Sequence, residues 1–269
     1  MTAPLMLTDS VTMLRRTLRR LRRYPSLTFF IAAIPIVLLL LFVYVLGGTL
    51  GAGLGAGGAG AAGGGRAEYA AYLMPGILLV PVAGVAQGTA ISVAMDMTAG
   101  IIARFKTMAV SRASVLAGHV IGSVIQTVLA VALVLGVGLL IGFRPTTGPL
   151  EWVAALGLLV LTTLAVASLS VALGLAAGSV ETASNSPMFL MLLPFLGSGF
   201  VPTSSMPDPL RWVAENQPFT PIIETLRGLL LGSPIGSQGL LAVGWCLAIS
   251  LAGFAWARKL YERPPQAAV

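Results

Sequence analysis

Apolar residues run along this chain in long uninterrupted stretches, and the charged residues sit in short clusters between them. Six charge-free stretches stand out: 24–65, 69–95, 113–143, 152–180, 182–207 and 228–257. Every one of them exceeds the roughly 20 apolar residues that a helix needs to cross a bilayer core. The pattern predicts an all-α membrane protein with six transmembrane helices, near 27–46, 70–94, 117–142, 152–178, 186–203 and 239–257. The fifth is short and carries Pro187, Pro194 and Pro202. The segment 204–236 that follows it holds the signals for two short helices. Asp208 before Pro209 and Thr220 before Pro221 are start signals, with Asp208 the expected N-cap. Asn216-Gln217-Pro218 and Gly232 with Pro234 are stop signals. Short apolar helices beside a shortened span predict an extracytoplasmic re-entrant helical hairpin. Trp212 lies on its first helix, and Glu224 and Arg227, three apart on the second, are placed to pair.

Two flanking segments have their own patterns. In 11–23, Val11, Leu14, Leu18 and Leu21 form one helical face, and arginines including Arg15, Arg16, Arg19 and Arg20 fill the others. That is an amphipathic helix suited to the cytoplasmic headgroup layer, stopped by Tyr24-Pro25. Residues 47–65 contain 11 glycines in 19 positions. The match to GxGxxG there (Gly53, Gly55, Gly58) follows no predicted strand, so it reads as a glycine-rich loop and not a dinucleotide site.

Charge sharpens the topology. Only 9% of residues are charged, against about 25% in soluble domains. The net charge of +7 could suggest nucleic acid, but no polar folded surface is left to display a binding patch. Of the 16 basic residues, 12 fall on one side of the six-span arrangement, and only Arg66, Arg144, Arg211 and Arg227 fall on the other. The positive-inside rule puts both termini in the cytoplasm. The first apolar run is too long for the core of a cleaved signal peptide, which spans about 7–15 residues. The excess of Arg over Lys, with abundant Gly and Ala, suggests a GC-rich bacterial genome and hence a bacterial plasma membrane. The lone cysteine, Cys246, lies in the last apolar stretch and provides no disulfide or metal framework.

The spans lack the chemistry of several transporter and enzyme classes. No ionisable residue lies near the centre of any span, whereas ion-coupled transporters need buried groups for the coupling ion. His119, the single histidine, stands at the start of the third span and is expected to meet headgroups. No clustered polar groups suggest a catalytic centre or a metal site. The two lysines follow Phe105 and Arg258, so no GxxxxGK[ST] nucleotide loop exists. The chain is expected to hold no cofactor of its own, and its energy source should lie outside it.

The loop 96–112 carries the strongest pattern. Asp96, Gly100 and Arg104 are spaced by four, while Ile101, Ile102, Phe105 and Met108 supply an apolar face. Lys106 and Arg112 add cations, and Ser111 can cap the helix that follows. A short amphipathic helix of this kind suits docking into a groove on a soluble partner.

The run of Asp96, Gly100, Arg104-Phe105, then Ser111-Arg112 and a third span resembles the first cytoplasmic loop of ABC-2 type export permeases, the daunorubicin/doxorubicin-resistance type above all. A second block resembles that family's fifth span and outer hairpin. It comprises Phe200 to Pro207, Trp212, Pro218, Arg227-Gly228 and Gly232. There are departures: Ala103 stands where the family often has an acid, His119 where Arg or Lys is common, and the glycine-rich loop is long. The resemblance implies three parts: a cytoplasmic elbow helix within 1–25, a six-span transmembrane domain over 26–258 and a cytoplasmic tail over 259–269. It implies a second permease protomer, identical or a sister subunit, and ATP-hydrolysing subunits that hold ATP and Mg. Asp96, Gly100, Arg104, Phe105, Lys106 and Arg112 would couple to those subunits, with the 11–23 helix beside them among the lipids. A lipophilic drug, antibiotic or lipid-like cargo would pass residues such as Phe30, Gln87, Phe195 and Phe200. The alternatives are export of polysaccharide or polymer-linked lipid, an ion-coupled transporter, and a membrane protein without cargo. Low aromatic content, 7%, weighs against the first and the charge-free spans against the second.

Overall fold

The computed structural model describes residues 25–48, 66–99 and 112–261. Their regular structure is entirely helical. Helix α1, Pro25–Leu40, continues into a π-helical turn at Leu41–Leu46. Four more long elements follow: α2 (Arg66–Thr98), α3 (Arg112–Leu140), α4 (Pro149–Ala176) and, near the end, α9 (Gln238–Tyr261). With α1 they make five helices long and apolar enough to cross a membrane, and they coincide with five of the six expected spans.

The fifth expected span, 186–203, is different. A short helix α5 (Val180–Asn185) precedes it, and the segment itself forms a nine-residue helix α6 (Met188–Leu196), then turns through Gly197–Val201 into a 3-10 turn at Thr203–Ser205. Nine helical residues rise about 14 Å, under half of a bilayer core of about 30 Å. Pro187, which has no N–H to give, separates α5 from α6. Gly197 and Gly199 lie within the turn after α6, on either side of Ser198. Beyond it, α7 (Asp208–Asn216) and α8 (Phe219–Leu231) match the expected hairpin helices. Asp208 is the first helical residue, not the N-cap; Pro207 stands at the cap and no side chain closes it. The stop at Gly232 works as expected: its φ of 74° is left-handed, and its N–H donates to the Gly228 carbonyl.

Helix α2 is the hub, packed against α1, α3, α4, α5, α6 and α8. Within its apolar window 72% of residues are buried, against 22% in α1 and in α9, so the latter two leave apolar faces uncovered. Small residues let the central helices approach closely. A Cβ on Gly174 of α4 would come within 2.6 Å of the Ala90 carbonyl of α2, and one on Gly253 of α9 within 2.6 Å of the Leu169 amide of α4. The result is a tight α2–α4–α9 layer. Its main core joins Leu73, Ile77 and Leu78 of α2 to Leu158, Leu159 and Val166 of α4 and to Ile222, Ile223 and Leu226 of α8.

Candidate functional site

Two polar clusters lie near opposite ends of α2, about 36 Å apart by helical rise. The first surrounds Arg227. The pattern of α8 buries Phe219, Ile222, Ile223, Leu226 and Leu230, which presses Arg227 against the opening turns of α2. Its guanidinium lies over the Tyr72 ring, 4.2 Å from the centroid. Nη1 donates to Glu224 Oε1 at 2.5 Å, and Nη2 donates to the Ser198 carbonyl at 2.8 Å and to the Tyr72 carbonyl at 3.4 Å. The Tyr72 hydroxyl also donates to the Ser198 carbonyl, at 3.0 Å. The expected Glu224–Arg227 pair is therefore present, and it is one part of a larger knot.

The knot has a plain physical purpose. A helix that stops inside packed protein frees carbonyls that must find donors there. Arg227 and Tyr72 serve Ser198, in the turn just after α6, while the Gln217 side-chain amide serves the Leu193 carbonyl in the last turn of α6, at 3.0 Å. Thr220 donates to the Ala214 carbonyl near the end of α7 at 2.5 Å. Backbone contact completes the fastening: a Cβ on Gly76 would stand 2.7 Å from the Gly199 Cα. Beside this turn, Phe200 stacks on Phe195 with centroids 4.6 Å apart and meets Phe42, in the π-helical turn of α1, at 5.3 Å.

The second cluster lies toward the far end of α2. Asp96, buried in the last turn of α2, has Oδ2 3.3 Å from His119 Nε2 of α3. The expectation that His119 meets headgroups gives way to this contact, with its side chain largely covered. Two turns earlier, Thr89 Oγ1 lies 2.6 Å from Ser123 Oγ, and Ser123 also donates to the His119 carbonyl at 2.9 Å. Gln87 donates to the Ser184 carbonyl of α5 at 3.0 Å. Beyond Pro187 and the α5–α6 break, the exposed Glu181 carboxyl is held below its ordinary value, first by its own backbone N–H and then by the Ser179 hydroxyl.

Of the four expected cargo-path residues, Phe195 and Phe200 are together, Gln87 is occupied at the far end, and Phe30 is exposed against Phe29 on α1. Trp212 is exposed on α7. Asp96 belongs to α2 itself and not to the loop that follows it. Arg112 opens α3, its side chain outside the described residues. Gly100, Arg104, Phe105, Lys106, Ser111, Arg15, Arg16, Arg19 and Arg20 also lie outside them. The sequence reading missed Tyr72, Ser198, Phe42 and the Thr89–Ser123 contact. A serine between two glycines at 197–199 was the available signal for a tight fastened turn. Among the described residues no group of three or more His, Cys, Asp or Glu could hold a metal. Both clusters join helices to one another.

A model of the ABC-2 type transporter family matches residues 8–231, most of the chain. The chain belongs to the ABC-2 type transporter family. It is 28% identical over 242 residues to the daunorubicin resistance ABC transporter permease protein DrrB1 of Streptomyces coeruleorubidus, covering 90% of this chain and 80% of that protein. It is 24% identical over 160 residues to the probable doxorubicin resistance ABC transporter permease protein DrrC of Mycobacterium tuberculosis strain H37Rv, covering 60% of this chain and 58% of the relative. The expected family resemblance is thus a family membership. ABC-2 permeases are transport subunits and not themselves enzymes; they function with nucleotide-binding ATPase subunits, often as dimers. Five apolar helices of membrane-crossing length make this member a multi-pass membrane protein.

Proposed function

We propose that this chain is the permease subunit of an ATP-driven exporter that moves a lipophilic drug, antibiotic or lipid-like natural product out of the cell. The observation that carries the reading is the alignment over 90% of the chain with a daunorubicin resistance permease. In this reading both termini lie in the cytoplasm, α6 with its neighbours makes the fifth crossing, and α7 and α8 form the outer re-entrant hairpin. The 12 basic residues expected on the cytoplasmic side support that orientation. Segment 96–112 receives the motion of separate ATPase subunits, which hold ATP and Mg, with the 11–23 helix beside it. The cargo passes between two permease protomers. A path without buried charge near the middle of the spans suits an apolar or amphiphilic molecule.

The test is gentle purification from the native membrane with identification of every protein recovered, followed by efflux assays in inverted vesicles with doxorubicin as the fluorescent probe. ATP-dependent uptake into the vesicles, insensitive to a proton ionophore, and recovery of a nucleotide-binding subunit are expected. Uptake that the ionophore abolishes and that needs no ATPase would replace this reading with the ion-coupled one. Charge reversal at Arg104 should lower transport per ATP hydrolysed while leaving membrane insertion intact.

A further inference from the structure

The second half of α2 reaches its neighbours through side chains at three levels. Gln87 bonds to the backbone of α5, Thr89 to Ser123 of α3, and Asp96 to His119 of α3. Thr89 and Asp96 are seven residues apart, two turns of one face, and Ser123 and His119 are four apart, one turn of the other. The two contacts therefore form rungs between antiparallel helices, and Ser123 ties them by donating to the His119 carbonyl. Both rungs are shielded: Thr89 and Ser123 are buried, and the Asp96 and His119 side chains are 10% and 14% exposed. A contact so covered gives up more when it is broken than an exposed one does, so separating α2 from α3 here carries a penalty that an exposed pair would not impose. Apolar packing alone would let two membrane helices slide, because lipid tails replace apolar neighbours at little cost.

We infer that Asp96 and His119 are positioning residues that fasten α2 to α3, so that the two helices move as one unit through the transport cycle. Gln87 passes that motion to α5. The inference rests on the exporter reading for the existence of a cycle, but the fastening itself rests on the described helices.

The experiment uses the full chain co-expressed with its ATPase in inverted vesicles and reads doxorubicin transported per ATP hydrolysed. Asp96→Asn and His119→Gln should each lower that ratio about tenfold, the scale of coupling energy carried by such contacts. The exchanged variant, Asp96→His with His119→Asp, should recover most of it, which a merely space-filling role would not predict. Single variants with the unaltered ratio would overturn the inference. Where the single variants fail to reach the membrane, a covalent link decides. In a Cys246→Ala background, Asp96→Cys and His119→Cys are joined by a short thiol-to-thiol reagent. Before linking, this protein should show the lowered ratio, and linking should raise it toward the parental value, because the covalent bridge replaces the fastening. A ratio that linking leaves low would overturn it. Loss of transport on linking, with ATP hydrolysis continuing, would overturn the fastening alone. A wild-type complex without ATP-driven transport would instead remove the exporter reading.

Discussion

The two ends of α2 are held in different ways. At the hairpin end a guanidinium, a phenol and a glutamine amide serve backbone carbonyls, and two glycines touch backbone to backbone. At the other end side chains meet side chains across two intact helices, with one added bond to α5. The first arrangement follows from a broken segment whose freed carbonyls, covered by protein, need donors from their neighbours. The second joins helices that already satisfy their own backbones, so its contacts govern relative motion more than folding. Mutations should therefore act on stability at the hairpin end and on coupling at the other.

The sharpest way to break that contrast is Arg227→Met. It removes charge-assisted bonds to Ser198 and Glu224, and a loss of about 3 kcal/mol is expected, read as thermal unfolding in detergent. Arg227→Lys should recover only part of it, since one ammonium cannot reproduce the planar fork. An unfolding temperature equal to that of the parent would mean the hairpin end is not the stabilising one. Gly76→Val comes next. Its Cβ would lie within 2.7 Å of Gly199, where only backbone can yield, and a cost of about 2 kcal/mol follows from overpacking. Trp fluorescence during heating would follow it.

At the other end Thr89→Val alone should cost about 1 kcal/mol, because Ser123 loses a buried partner. Thr89→Val with Ser123→Ala should cost less than the sum of the single changes, a coupling visible in a double-mutant cycle. Additive values would argue that the rung carries nothing. The smallest effect concerns Glu181. Its lowered folded value means its contribution to α5 is full above the ordinary carboxylate value of 4.5 and fades as pH falls through the lowered one. Ser179→Ala should move its titration upward toward 4.5, as followed by NMR of a labelled carboxyl. A titration unmoved by that change would leave the backbone N–H as the whole cause.

Much of this was legible along the chain. Five long helices announced themselves because an apolar run longer than a bilayer is thick has few alternatives. The ends of α7 and α8 were legible too, since proline and glycine act locally on φ and on the backbone donor. Even the Glu224–Arg227 pair could be placed, because residues three apart share a helical face. The fifth segment was harder. Its composition resembles the other spans, and only the packed structure shows where the helix stops and which donors make that stop tolerable.

Residue order was enough to establish that the chain is helical, membrane-spanning and without a nucleotide loop, and its motifs pointed to the ABC-2 type family. These are properties of composition and short-range spacing. It took the packed helices to show that α2 is the hub, that Arg227 serves Ser198 across 29 residues, and that His119 turns to Asp96. Such partners lie far apart in the chain, and the choice among them is made by which helices small residues allow to approach and which freed carbonyls remain to be served.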